Sequence, residues 1–143
     1  MRKIIAFLCL CACFATSAIA AEPTCEGRGG TIIKAYAATD PGCSDETCNG
    51  HEFCKSDKTM NWWSAFTWCE SQNRKLADFA TMCPGVSQTP AGTEGNCPNL
   101  QGKGGGPVWS NLAYDSDRAI LVNLSSGIVY DNTRNSNYYA LCE

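Results

Sequence analysis

Eleven cysteines in 143 residues restrict what this chain can fold into more than any other feature. Three of them, Cys9, Cys11 and Cys13, lie in the opening stretch MRKIIAFLCLCACFATSAIA. There Arg2 and Lys3 precede an apolar run, and Ala18-Ile19-Ala20 supplies small residues at a cleavage spacing. Such a stretch is expected to be a secretory signal over residues 1–20, cut after Ala20. A rival reading takes Leu10-Cys11-Ala12-Cys13 as a lipidation box with the lipid on Cys13. Cleavage leaves Cys25, Cys43, Cys48, Cys54, Cys69, Cys83, Cys97 and Cys142. An even number behind a secretory signal implies an oxidising destination, whether secreted, periplasmic or cell-surface, and up to four disulfides. Zinc would need C-x2-C pairs or histidine partners. The tightest spacing after the signal is C-x4-C and His51 is the single histidine, so neither a metal nor a cofactor is expected.

The remaining 123 residues suit one domain, 21–143, with a modest core. Losing Arg2 and Lys3 takes the formal charge from −3 to −5, and the basic residues stand singly apart from Arg74-Lys75. Without a basic stripe to track phosphates, nucleic acid is excluded as a partner class. No later run approaches about 18 consecutive apolar residues, so no membrane span is expected.

Residues 31–36 (TIIKAY) read as a strand, followed by the turn-rich DPGCSDETCNG and a second short strand at residues 51–54, so that 21–59 forms a cysteine-containing hairpin or extension. Residues 83–107 form a long connection rich in glycine and proline, either functional or stapled. A bridge from Cys83 to Cys97 would staple it; Cys43 to Cys48 and Cys25 to Cys54 follow from proximity alone. Four strands are expected after it, at 107–112, 119–124, 127–130 and 138–142, with Ser125-Ser126-Gly127 turning the second into the third as a hairpin.

In NWWSAFTWCESQNRKLA, residues 61–77, the side chains of Trp62, Ala65, Phe66, Cys69 and Leu76 share one face at 100° per residue, interrupted only by Asn73. An amphipathic helix is expected, with Asn61 as its N-cap and Thr59 as the fallback. Trp62 and Cys69 face the core. Trp63 and Trp68 fall on opposite flanks of the stripe, where each either shelters a neighbouring loop or contacts a partner.

The spacing of Trp62, Ala65, Cys69, Leu76 and Ala77 resembles the W-x2-A-x3-C-x6-L-A signature of the first helix in C-type lectin-like domains. Ala140-Leu141-Cys142-Glu143 is similar to that family's closing strand, and Val108-Trp109-Ser110-Asn111-Leu112 to its central strand. The resemblance implies an α+β, disulfide-rich fold of C-type lectin-like type, with one main amphipathic helix packed on a small antiparallel sheet. It also implies a bridge from Cys69 to Cys142. Calcium-dependent sugar-binding members carry an E-P-N or Q-P-D triplet and a later W-N-D triplet, and this sequence has neither.

No nucleophile elbow and no H-E-x-x-H helix occurs, and QGKGGG lacks the leading glycine and trailing hydroxyl of a phosphate loop, so no catalysis is expected. The run of Tyr, Asn, Ser and Arg at residues 130–139 is either an ordinary polar turn whose tyrosines pack on the sheet or a contact loop of paratope-like composition. On the second reading Tyr130, Asn132, Arg134, Asn135, Asn137 and Tyr138 join Trp63 and Trp68 as candidate ligand-binding residues. The expected function is recognition of a protein or glycan without calcium; the rival is a structural or accessory subunit of a cell-surface or envelope assembly.

Overall fold

A computed structural model describes residues 24–44, 46–86 and 96–143. The expected signal at 1–20, lipidation at Cys13 and the middle of the glycine- and proline-rich connection lie outside these residues.

Six strands form one sheet in the order β1-β2-β6-β3-β4-β5. They are β1 (Gly30–Lys34), β2 (Glu52–Met60), β3 (Pro107–Ala113), β4 (Arg118–Asn123), β5 (Val129–Thr133) and β6 (Tyr138–Cys142). The chain's last strand inserts between β2 and β3. It runs antiparallel to β2 but parallel to β3, with Val108 opposite Tyr139 and Trp109 opposite Ala140. The sheet is therefore mixed, which corrects the expectation of a small antiparallel one. A parallel neighbour needs a long connection, and the β4–β5 hairpin supplies it, closed as expected by Ser125-Ser126-Gly127.

Both faces of the sheet are covered, which explains why its central strands read as continuous apolar runs rather than as alternation. On one face lie Phe53, Val108, Ile120, Val122, Val129 and Leu141, packed with Phe79, Met82, Leu100 and Leu124. On the other lie Cys54, Trp109, Ala119, Leu121, Ala140 and Cys142, covered by Trp62, Ala65 and Cys69 of α1 (Trp62–Ser71). Neighbours in sequence such as Leu121 and Val122, or Ala140 and Leu141, serve opposite cores. The fold is α+β and disulfide-rich, and among the described residues no helix is long and apolar enough to cross a membrane.

Asn61 caps α1 as expected, its side-chain oxygen accepting from the Ser64 amide at 2.9 Å. The helix ends earlier than the apolar stripe suggests. Asn73 turns left-handed at φ 55°, the Arg74 amide donates back to the Cys69 carbonyl and the Asn73 amide to that of Glu70. This pair of bonds is a Schellman stop, in which asparagine tolerates the conformation glycine usually takes. Leu76 is buried, but from a β-bridge to Cys142 rather than from the helix. Residues 75–77 run beside the end of β6: Lys75 and Glu143 exchange backbone bonds of 3.2 and 3.0 Å, and their side chains form an ion pair at 2.7 Å. A second, four-residue helix, α2 (Phe79–Met82), was too short to leave a periodic signal; Asp78 caps it.

All four disulfides join the expected partners: Cys25–Cys54, Cys43–Cys48, Cys69–Cys142 and Cys83–Cys97. The last closes the described ends of the glycine- and proline-rich connection. Cys54 and Cys142 stand opposite each other on β2 and β6. Each reaches off the same sheet face, one to the 3-10 turn Glu26–Arg28 through Cys25, the other to α1 through Cys69. A Cβ at Gly30 would lie 2.7 Å from the Cys25 sulfur and 2.9 Å from that of Cys54, so only glycine lets β1 pass this close. Four disulfides fit folding in an oxidising compartment.

Candidate functional site

The two neighbouring disulfides pin the 3-10 turn and α1 side by side, and a cleft opens where they meet. Arg28 crosses from the turn to the helix, its Nη1 donating to the Ser71 carbonyl at 2.5 Å. A cation there also suits the negative end of the helix dipole. The cleft measures about 350 Å³ and is lined by Arg28, Gly29, Ser56, Asp57, Lys58, Met60 and Trp68. A shallower hollow of about 440 Å³ adjoins it along α1, sharing Met60 and Trp68 and adding Ser64, Thr67 and Ser71. Trp68 is half-buried: part of the ring packs on the core and part faces the cleft.

The cleft is built on fixed groups. Ser56 is buried, its hydroxyl donating to the Lys58 carbonyl at 2.7 Å and accepting from the Ala140 amide at 2.9 Å. The β2–β6 register shifts between Lys55 and Thr59, so the strand leaves its partner along this wall. The Asp57 amide bonds the Gly29 carbonyl at 2.9 Å, and its carboxylate accepts from the Thr31 hydroxyl at 2.9 Å.

The other candidate residues lie elsewhere. Trp63 is 49 % exposed on the opposite flank of α1, edge-on to Trp62 at 6.1 Å. Arg134 lies at the same end of the helix: its carbonyl accepts from the Trp62 amide at 3.0 Å, and its guanidinium sits over the Trp62 ring at 4.5 Å. That guanidinium also donates to the carbonyls of Arg118 and Asp115, so it ties the turn down. Tyr138 packs edge-on against Trp109 at 5.1 Å and accepts from Asn132 Nδ2 at 2.7 Å. Tyr130 packs on the same core, and burial, with Tyr138 beside it, holds its hydroxyl above the usual tyrosine pKa. These contacts match the plain reading of the turn, with tyrosines on the sheet, and leave Thr133, Asn135 and Asn137 as its exposed side chains. Trp63 and Arg134 thus share one end of α1, while Trp68 belongs to the cleft.

Sequence reasoning missed Arg28, Lys58 and Met60 because three separated segments bring them together. The usable signal was Trp68 itself, a large ring off the apolar stripe.

Among the described residues no three His, Cys, Asp or Glu side chains converge on a point. Asp115 Oδ1 accepts from the amides of Asp117 and Arg118 at 2.8 Å each, and Asp131 pairs with Arg118. Saturating calcium is accordingly expected to leave the melting temperature unchanged, since an ion without a native site adds no free energy to the folded state. A rise of several degrees, reversed by chelator, would overturn that expectation.

No protein-family model matches this chain, and no curated protein matches it either.

Proposed function

We propose that this chain is a C-type lectin-like recognition module, secreted or surface-exposed, that binds a protein or glycan without calcium and catalyses nothing. The observation that carries the reading is the Trp68 cleft, a concave, partly aromatic surface with a few polar groups, held rigid by two disulfides. The helix signature at residues 62–77, the Cys69–Cys142 bridge and the closing Cys142-Glu143 support the family assignment. A clamped site loses little freedom on binding, which favours affinity from a small contact area.

Glycan-array binding and pull-down with the isolated chain test the function, and Trp68→Ala tests the site. Removing a half-buried ring is expected to cost about 1 to 2 kcal/mol of stability, leaving the fold intact. Binding should fall at least about tenfold, as for an aromatic anchor in a pocket. Unchanged binding in Trp68→Ala would move the site away from the cleft. Binding confined to assembly partners would instead favour a structural subunit.

A further inference from the structure

Resting on the recognition reading above, we propose that the Trp68 cleft takes an acidic saccharide: a pyranose ring packed on the indole, with its carboxylate between Arg28 and Lys58. Size limits the occupant first. Adjoining hollows of about 350 and 440 Å³ suit one or two sugar rings and are small for a partner's folded element. The apolar C–H face of a pyranose packs on an indole as other apolar surfaces do, and Trp68 offers the exposed part of its ring beside Met60.

Polar groups narrow the class further. Ser64 and Thr67 stand three residues apart on the flank of α1 next to Trp68, exposed, and among the described residues their hydroxyls bond nothing in the chain. Hydroxyls both donate and accept, which matches a polyhydroxylated ligand. The charge in the main cleft is unbalanced. Arg28 and Lys58 face Asp57 alone, and the Asp57 carboxylate is already engaged by Thr31. Arg28 is aimed by its bond to Ser71, which uses one nitrogen of the guanidinium and leaves the rest of the fork for a planar carboxylate. Lys58 is exposed and, among the described residues, forms no ion pair. A neutral saccharide would leave both cations unmatched, and an acidic peptide would make no use of the hydroxyls beside the indole.

The test is calorimetric titration of the whole protein with glucuronate-, galacturonate- and sialate-terminated oligosaccharides, each beside its carboxyl-reduced neutral form. At least one acid is expected to bind about tenfold or more tightly than its reduced form at low salt, with the difference shrinking as salt rises. Lys58→Ala should weaken that binding about fivefold with an unchanged melting curve. Trp68→Ala should abolish it, and Trp68→Phe, which retains a ring and guards against misfolding, should weaken it less. Equal affinity for acidic and reduced forms, no binding by any acid, or full affinity in both Lys58→Ala and Arg28→Gln would each overturn the proposal. Trp68-dependent binding of neutral sugars would overturn it too, while leaving the recognition function standing.

Discussion

Trp109→Ala is expected to lower the free energy of unfolding by about 3 to 5 kcal/mol, the range for emptying a large aromatic site in a packed core. Trp109 is fully buried in the middle of the sheet, paired with Leu121 on one side and Ala140 on the other. Its indole Nε1 donates to the Met60 carbonyl at 2.9 Å, and Tyr138 meets its ring edge-on. The substitution therefore removes a ring, a hydrogen bond and an aromatic contact together. Trp62→Ala should fall in the same range: that ring is 9 % exposed, donates to the Ser110 carbonyl at 2.8 Å and lies under the Arg134 guanidinium. Trp63→Ala should cost less, about 1 kcal/mol, because that ring is half-exposed and its aromatic contact is edge-on to Trp62. Denaturant melts of the three variants check this ordering. Equal losses at Trp63 and Trp109 would mean that the α1 side of the sheet is not a packed core.

How much of this was legible in the sequence depends on whether a feature is local. Spacing on one face of α1 identified Trp62, Ala65 and Cys69 as core, and Asn61 as cap, because a helix face is written at three- and four-residue intervals. The same rule misplaced Leu76, which is buried for a different reason: the left-handed Asn73 ends the helix and residues 75–77 run beside β6. A periodic count cannot see that change of partner. The second half of β2 was missed for the opposite reason. Lys55, Ser56, Asp57 and Lys58 carry little strand propensity, yet β2 pairs with both β1 and β6. Ser56 can be buried because its hydroxyl meets Lys58 and Ala140. Nothing local announced the parallel β3–β6 pair or the cleft, which joins residues 28–29, 56–60 and 68. Those depend on the sheet order, and only tertiary packing writes it.

Replacing Cys69 and Cys142 together by alanine is expected to cost about 4 kcal/mol, the largest loss among the four bridges. Cross-linking lowers the entropy of the unfolded chain by an amount that grows with the logarithm of the loop closed, and this bridge spans 73 residues. Cys25–Cys54, spanning 29, should be worth about 3.5 kcal/mol on the same account, and Cys43–Cys48, spanning 5, only about 2. Alanine is the informative replacement, because both Cys69 and Cys142 are fully buried and serine would add unpaired hydroxyls. Denaturant titration of the three double variants gives the order directly. A larger loss at Cys43–Cys48 than at Cys69–Cys142 would refute the loop-entropy account for this fold. The Cys69–Cys142 variant has a second consequence: α1 then keeps no covalent tie to the sheet and is held by Trp62, Ala65, Phe66 and Trp68, by the Arg28 bond to Ser71 and by the backbone bonds of residues 75–77. Because Trp68 lies on that helix and Arg28 bonds its last turn, any ligand of the cleft should bind this variant more weakly even under conditions where it remains folded.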